Sequence, residues 1–345
     1  MKQKTQKPHK KINILILAGG GIGDILMTTP MFRAIKEYYP LSYLAVGVLG
    51  NLNQQLLAFN GNIDGIFALD DRKFKGITGI MRLVFFLRKS KYDYCFHNHI
   101  GVGRKFFLIP FLSGIKNRIG FNRENIVKKK GYRLLVKLLT HSVFYVYGDK
   151  RRTEKNLELL KVIGIEHHDY SYDLGIPFKK KRNNTVGIVG IHPGSDRNST
   201  IKRWDIKKFN LLAHQIVSKY GYRIRFYIGP QERELQDALD DCETFEIAEE
   251  KDIVGLIKNM AECCFFISND SGLAHLASAL EIPTVVIYGP TIKEECILPA
   301  KNAAVEIENL ECRPCFYSKR TCPTGKICIN EIKVKDVFEA FEGLM

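Results

Sequence analysis

The sequence predicts an α/β protein made of two Rossmann-like domains that face a central cleft, and three observations support this fold class. The chain has 345 residues, which is too many for one ordinary hydrophobic core. Short apolar runs alternate with helical patterns throughout, as in parallel sheets covered by helices on both faces. The alternation restarts after a basic polar stretch at 176–184, the predicted linker, so we place the domains at 1–180 and 181–345.

In the first half, apolar runs predict strands at 12–18, 43–49, 65–69 and 92–97. Helical spacing predicts a helix over 76–91. Thr29 is expected to cap another helix, which has Pro30 at its first position and ends at Tyr39. The segment 131–148 is apolar with basic flanks, which fits either a buried core helix or a segment resting on a membrane surface.

In the second half, the same patterns predict strands at 185–192, 223–229, 263–270 and 284–290. An amphipathic helix is expected over 204–221, with Gly221 at its C-terminal end. A further helix is expected from Ser271 to Leu280.

The composition is that of an ordinary soluble protein, with 45% hydrophobic and 26% charged residues. No apolar run reaches the roughly 18 residues that a membrane span requires. The basic N-terminus is followed by a strand pattern and glycines, not by an apolar region and a cleavage site. We therefore expect no secretion signal and a cytoplasmic location.

The net charge of +15 is unevenly distributed. Residues 1–182 contain 33 Lys and Arg against 13 Asp and Glu, a balance of +20, whereas 183–345 contain 19 against 24, a balance of −5. The excess in the first half suggests an anionic partner, such as a nucleic acid, a phosphorylated glycan or an acidic membrane surface. A lysine-rich surface without a partner is the alternative.

The first motif is LAGGGIGDILMTTP (17–30), a glycine-rich loop after the first predicted strand. A dinucleotide fingerprint would need a third glycine or an alanine where Asp24 stands, and the lysine of a nucleotide-triphosphate loop is absent. The glycines permit a tight turn and a close ligand approach. Asp24 is either a general base on this loop or a helix cap without chemistry.

Two further motifs follow strands of the second half. In HPGSDRNSTIKRW (192–204), the amides around Gly194 and Ser195 could hold phosphate oxygens and Lys202 could pair with a diphosphate. The alternative is a polar loop in which Lys202 and Arg203 are solvated. In SNDSGLAHLASAL (268–280), the amides at 271–273 start a helix where an anion could bind.

Four of the nine cysteines form a C-terminal group with the spacing C-x2-C-x6-C-x5-C: Cys312, Cys315, Cys322 and Cys328. Such a set could hold structural zinc or iron, remain reduced, or form disulfides. In each case we expect a structural role for the segment 312–328.

Together the motifs resemble glycosyltransferase family 9, the bacterial heptosyltransferases of lipopolysaccharide inner-core synthesis. The first loop is similar to the family's lGDxxxttPxxxxlk, and SGIKNRIGF (113–121) to sGakxRiGf. HPGS…KRW is similar to hPGa…KrWp. NDSGLAHLASALEIPTVVIYGPT (269–291) is similar to nDTGxxHlAaAlgxPvvxlfGpT, a long and specific pattern. The matches run from about residue 12 to about residue 340.

This resemblance implies a GT-B fold with an N-terminal acceptor domain and a C-terminal nucleotide-sugar domain, whose last helix could return to the first domain. It implies an inverting transfer from ADP-heptose without a metal or another catalytic cofactor. Asp24 of the Gly23-Asp24 pair would be the base. The implied donor contacts are Gly194, Ser195, Lys202, Asp270, Ser271, Gly272 and His275, with Glu232 as the candidate for the donor ribose.

The resemblance also gives the basic first half a partner, because an inner-core acceptor is an anionic glycolipid held in a membrane. We expect peripheral contact with the cytoplasmic face of the inner membrane. The candidate contacts with acceptor or lipid are Gly23, Arg104, Lys105, Arg118, Lys128, Arg151 and Arg152.

Other functions stay open. The acceptor could be a protein, such as an adhesin or autotransporter, or the donor could be another nucleotide sugar. A basic nucleic-acid-binding protein on a Rossmann scaffold would require interleaved aromatic residues or a known module. Neither is visible in the sequence, so no nucleic-acid partner is expected.

Overall fold

The structure is a computed structural model that describes residues 11–98, 103–123, 127, 131–175, 187–195, 200–230, 232–240, 243–248, 250, 252–315, 322 and 324–345. The chain divides into two compact units, 1–176 and 177–345. The predicted linker at 176–184 lies outside the described residues. Within those residues, no helix combines the length and the apolar character needed to cross a bilayer.

The N-terminal unit contains a parallel six-stranded sheet. Its strands are β1 Asn13–Ala18, β2 Tyr43–Val48, β3 Gly65–Ala68, β4 Tyr94–His97, β5 Asn117–Asn122 and β6 His141–Phe144, in the spatial order β3-β2-β1-β4-β5-β6. Its α-helices are α1 Ile22–Leu26, α2 Thr29–Tyr38, α3 Asn51–Leu57, α4 Gly76–Lys89, α5 Arg104–Leu112, α6 Tyr132–Val136 and α7 Arg152–Glu158. Short 3₁₀ helices lie at Arg72–Phe74 and Leu159–Ile163.

The central strand β1 is buried in the core of this unit. Its residues from Ile14 to Ala18 are all buried, as expected for a parallel strand that is covered on both faces. The helices α4, α5 and α6 bury Leu83, Phe107 and Val136 in one cluster with Leu15 of β1. These three helices therefore cover the same face of the sheet.

The C-terminal unit repeats this plan. Its strands are β7 Ile188–His192, β8 Arg223–Phe226, β9 Phe245–Ile247, β10 Phe265–Asn269, β11 Thr284–Tyr288 and β12 Asn302–Glu306, in the order β12-β11-β10-β7-β8-β9. Its α-helices are α8 Ile206–Tyr220, α9 Arg233–Gln236, α10 Ile253–Met260, α11 Gly272–Ala279, α12 Lys293–Cys296, α13 Ile327–Asn330 and α14 Val334–Glu342, with a 3₁₀ helix at Thr200–Lys202.

Helices α8 and α14 close one core of the C-terminal unit. Phe209 of α8 and Phe341 of α14 belong to the same buried cluster as Ile224 of β8 and Val285 of β11. The last helix, which could have returned to the N-terminal domain, thus packs in the core of its own unit. Gly221 ends α8 in the left-handed conformation, with φ +69°, as the sequence predicts.

In both sheets, the order in which the chain adds strands reverses beside the first strand. After β1 the chain builds towards β3, and it then returns to add β4 on the other side of β1. In the second sheet the same reversal separates β7 from β10. Open parallel sheets bind ligands outside the carboxyl ends of the strands at such switch points. The loops after these four strands are therefore the places where sites are expected.

The predicted strands and helices are confirmed to within three residues at each end, but two predictions were wrong in detail. Thr29 is the first residue of α2 and not its cap, and its hydroxyl donates instead to the carbonyl of Leu26. The segment 131–148 is not one helix. It forms α6 and then β6, because the backbone after Val136 turns to pair with β5.

Candidate active site

Asn269 joins the two loops at the switch point of the C-terminal unit. This buried residue ends β10, and its amide donates to the carbonyls of Pro193 and Gly194 at 2.7 and 3.1 Å. Its side-chain oxygen accepts a hydrogen bond from the backbone of Trp204 at 3.0 Å. The side chain thus fixes the loop after β7 against the start of α8. Asn269 begins the NDSG motif, but the motif alone does not predict that its side chain joins the two loops.

Lys202 and Asp270 form an ion pair at this switch point. The Lys202 ammonium lies 2.8 Å from Oδ2 of Asp270, and both side chains are largely buried. Burial alone would raise the pKa of the Asp270 carboxyl. The charge of Lys202, its hydrogen bond to Asp270 and the nearby His275 ring together hold that pKa below its ordinary value of 3.8. A positive group is therefore held in place beside α11 by a carboxylate that stays ionised.

The N-terminus of α11 supplies further anion-binding groups. Ser271 is its N-cap, and its hydroxyl accepts from the amide of Ala274 and pairs with Ser268 at 2.9 Å. The first turn of a helix presents N–H groups that have no partner within the helix. Gly272 is the first helical residue, and His275 is buried in the same turn. Five of the residues predicted as donor contacts thus lie together at this switch point: Lys202, Asp270, Ser271, Gly272 and His275.

Glu232 braces the loop that carries Ser195. Its Oε1 accepts from the Ser195 amide at 2.8 Å and from the Arg203 guanidinium at 3.2 Å, and its Oε2 accepts from the Gly229 amide at 3.2 Å. Arg203 also pairs with Glu234. The alternative in which Lys202 and Arg203 are solvated is therefore wrong, since their side chains are only 15% and 11% exposed.

A side chain at Gly194 would collide with the Glu232 carboxylate unless Glu232 moved. A Cβ atom at Gly194 would lie 2.1 Å from Oε1 of Glu232. We expect Gly194→Ala to displace Glu232, to weaken ADP binding and to cost about 1–3 kcal/mol of unfolding free energy. Thermal unfolding and titration with ADP measure both effects.

Gly229→Ala is the matched control for this prediction. It adds the same methyl group on the other side of Glu232, where the nearest contact would be an ordinary 3.5 Å. The Gly229 amide that donates to Glu232 is kept in this variant. Equal losses in the two variants would show that the carboxylate position does not matter.

In the N-terminal unit, Asp24 lies in the first turn of α1, the short helix that follows β1. Its Oδ2 accepts from the Gly21 amide at 3.0 Å, which closes the first turn of α1. Its Oδ1 lies 3.5 Å from the guanidinium of Arg152. Gly20 has φ +108°, and a Cβ there would lie 2.1 Å from Oδ2 of Asp24. The carboxylate is a helix cap through one oxygen, and its side chain remains 39% exposed.

Polar side chains from α3 and from the segment after β4 support the backbone around Asp24. Asn53 donates to the carbonyls of Gly20 and Leu49 at 3.0 and 2.6 Å. Asn98 follows β4 and donates to the Thr28 hydroxyl at 2.6 Å, which in turn donates to the carbonyl of Asp24 at 2.8 Å. These hydrogen bonds hold the backbone around Asp24 in place at the switch point between β1 and β4. Gly23 is buried within α1.

A group of buried cations surrounds Tyr145 at the same edge of the sheet. The ammonium of Lys155 lies 4.2 Å from the Tyr145 ring centre, and the guanidinium groups of Arg123 and Arg152 lie at 5.2 and 5.8 Å. All three cations are at most 7% exposed, and Lys155 pairs with Asp149 at 2.8 Å. Of these three residues, only Arg152 was predicted from the sequence as an acceptor contact. The sequence alone does not show that Arg123 and Lys155 lie around the same tyrosine.

The other predicted acceptor contacts are more scattered. Arg104 and Lys105 are exposed at the start of α5. Arg118 donates to the carbonyls of Ile115 and Leu138 and covers the ring of Phe111. Arg151 lies over the ring of Tyr170. Lys128 lies outside the described residues.

The four C-terminal cysteines form no disulfide bond among the described residues. The Thr324 hydroxyl contacts the sulfurs of Cys312 and Cys322 at 3.7 and 3.5 Å. Hydrogen bonds from Thr324 lower the pKa of Cys322, whereas burial raises the pKa of Cys328 to about 11. In the described part of the chain, which includes all four, no three His, Cys, Asp or Glu side chains are arranged to hold a metal ion. The sulfur chemistry of the group suits zinc or iron.

The fold and the two sites together define a class of protein. Two Rossmann-like units are the parts of a GT-B glycosyltransferase; here one carries the Lys202–Asp270 pair at its switch point and the other a partly exposed carboxylate. A family model described as glycosyltransferase family 9 (heptosyltransferase) matches residues 105–327. That match covers more than half of the chain, which therefore belongs to this family of enzymes.

Individual relatives agree with this assignment. The chain is 24% identical over 343 residues to lipooligosaccharide heptosyltransferase 2 of Campylobacter jejuni serotype O:6, covering 94% of this chain and 96% of the relative. It is similar to the structure of Escherichia coli ADP-heptose LPS heptosyltransferase II, with a TM-score of 0.74, 19% identity and coverage of 96% and 98%. E. coli heptosyltransferase WaaC with ADP gives a TM-score of 0.72, 16% identity and coverage of 97% and 100%.

Proposed function

We propose that this enzyme transfers heptose from ADP-heptose to an inner-core lipopolysaccharide or lipooligosaccharide acceptor, with inversion and without a catalytic metal. The observation that carries the proposal is the Lys202–Asp270 pair beside the N-terminus of α11, at the switch point of the C-terminal unit. The relatives supply the sugar, since the similar proteins are described as heptosyltransferases.

On the donor side, the groups around Lys202 would stabilise the leaving diphosphate. Breaking the bond to the anomeric carbon leaves negative charge on the phosphate oxygens. The Lys202 ammonium, the His275 ring and the amides at the start of α11 are fixed donors that need little rearrangement as this charge develops. Asp270 holds the ammonium in place, and Glu232 supports the Ser195 loop from behind. A contact of Glu232 with the donor ribose stays a prediction.

On the acceptor side, Asp24 would act as the general base. An acceptor hydroxyl attacks the anomeric carbon while ADP leaves from the opposite face, and Asp24 takes the hydroxyl proton. The Gly21 amide and Arg152 would orient the carboxylate for this step. Proton transfer to a positioned base contributes about 10²–10⁴-fold to such rates.

The cations around Tyr145 suit an anionic acceptor. Arg123, Arg152 and Lys155 are concentrated at the sheet edge that carries Asp24, and arginine forks bind phosphate and carboxylate groups well. We therefore propose an anionic glycolipid as the acceptor and a peripheral position of the enzyme on the cytoplasmic face of the inner membrane.

A protein acceptor is the second candidate. The four grouped cysteines favour it, because the sequence resemblance extends to family members that modify proteins and carry an iron-binding cysteine cluster. A donor other than ADP-heptose is a further possibility within the same chemistry.

A panel of substrates tests the proposal. The purified protein is incubated with ADP-heptose, ADP-glucose, UDP-glucose and GDP-mannose, each with extracted core glycolipid or with an adhesin polypeptide. Released nucleoside diphosphate and product mass are measured. We expect ADP release and a heptose mass increase only with ADP-heptose and the glycolipid. Heptose on the polypeptide alone would favour the second candidate, and consumption of no ADP-sugar would refute the donor assignment.

A further inference from the structure

Helix α4 of the N-terminal unit exposes an apolar stripe. Ile77, Met81 and Phe85 are 84%, 59% and 69% exposed, and their spacing of four residues places them on one side of the helix. The opposite side buries Leu83 and Leu87 in the core. A surface helix normally turns polar residues to solvent, so an apolar outer stripe points to a binding surface.

The neighbouring helices extend this stripe. On α5, Leu108, Phe111 and Leu112 are 38%, 46% and 44% exposed, and Leu134 on α6 is 68% exposed. The three helices cover the same face of the sheet, and Arg88 of α4 donates to the carbonyl of Leu112 at 2.8 Å. Their outer sides therefore form one surface, which we name the α4–α6 face.

All charged residues in the three helices of the α4–α6 face are basic. The structure describes every residue of these helices, and their sequences contain no Asp or Glu. They contain six exposed basic residues: Arg82, Arg88, Lys89, Arg104, Lys105 and Arg133. Long basic side chains can reach past apolar neighbours to a layer of anionic groups.

We propose that the α4–α6 face docks on the surface of an anionic phospholipid bilayer. Apolar side chains flanked by Lys and Arg, without acidic residues, match the acyl boundary and headgroups of such a surface. A second copy of this face would place basic residues against basic residues, which disfavours self-association. The inference rests on the proposed function only in that a membrane-anchored acceptor gives the docking a purpose.

Vesicle binding of the full chain tests the proposal. The protein is sedimented with vesicles of phosphatidylcholine alone and with vesicles that also contain phosphatidylglycerol. We expect binding only to the anionic vesicles, and we expect added salt to weaken it. Equal binding to both kinds of vesicle, or to neither, would overturn the proposal.

Substitutions locate the contact. We expect Arg82→Glu with Lys89→Glu to weaken binding by about tenfold or more, since each basic residue near an anionic surface contributes about 1 kcal/mol. Lys161→Glu with Lys207→Glu is the matched control, because both are exposed lysines outside the face. Phe85→Ser should also weaken binding, whereas Leu211→Ser should not, although Leu211 is 57% exposed.

A fluorescent reporter gives an independent measurement. The chain has one tryptophan, Trp204, which is buried in the C-terminal unit. Phe85→Trp should shift its emission to the blue on anionic vesicles, while Leu211→Trp should not. No shift at position 85, or concentration-dependent self-association that Phe85→Ser abolishes, would contradict membrane docking.

Turnover with a water-soluble core fragment separates this proposal from the function itself. The variants of α4 should keep that turnover while they lose vesicle binding. If the wild-type protein had normal turnover but did not bind vesicles, only the docking proposal would be overturned. Vesicle binding without heptose transfer would overturn the proposed function alone.

Discussion

Asp24→Asn is expected to lower turnover by roughly 10²–10⁴-fold while ADP-heptose still binds, because an amide cannot accept the hydroxyl proton. Asparagine keeps a side-chain oxygen for the Gly21 amide, so the cap of α1 can remain. Steady-state turnover at saturating donor and calorimetric titration of the donor measure the two effects. Donor affinity should change little, since the proposed donor contacts all lie in the C-terminal unit.

Asp336→Asn is a matched control for the capping role. Asp336 occupies the same position in α14 and accepts from the Lys333 amide at 3.0 Å, as Asp24 does from Gly21. If capping were the only role of Asp24, the two variants would show similar small changes. Turnover of Asp24→Asn within a few-fold of the wild type would therefore remove Asp24 from the role of base.

The sequence predicted the fold best where strands are apolar on both faces. INILILA and TVVIYGP are recognisable because central parallel strands are covered on both sides. The strands β5, β6, β9 and β12 were missed. NRIGFN mixes polar and apolar residues, and HSVF is largely exposed at the end of the sheet. Such strands are defined by pairing with a neighbour, and the local pattern does not contain that information.

The site was predictable to the extent that its residues follow strands. The motifs directly after β1, β7 and β10 contain Asp24, Ser195 and Asp270, so these candidate residues could be read from the sequence. Their partners were not predictable, because Asn269 and Trp204 are 65 residues apart and Asn98 and Thr28 are 70 apart. The spacing of the motif also could not decide whether Asp24 is a general base or a helix cap, because one carboxylate can have both roles.

Lys202→Met is expected to destabilise the C-terminal unit by about 3–5 kcal/mol, because it leaves the buried Asp270 carboxylate without its cation. It should also abolish measurable ADP binding. Urea unfolding followed by Trp204 fluorescence reports on this unit, since Trp204 is the only tryptophan of the chain. The double variant Lys202→Met with Asp270→Asn should recover much of the stability but not the binding. A stable single variant would show that the pair contributes little to folding.

The pH dependence of the unfolding free energy should differ between the wild type and Lys202→Met. In the wild type the fold lowers the pKa of Asp270, so the pair stabilises fully above pH 3.8 and loses this contribution as the pH falls through the lower folded value. Without Lys202, burial becomes the dominant influence and should raise that pKa. Protonation then relieves the buried charge, so Lys202→Met should gain stability as the pH falls from neutral towards 4, where the contribution of Asp270 in the wild type is flat. Parallel curves for the two proteins would show that Lys202 does not hold the charge of Asp270.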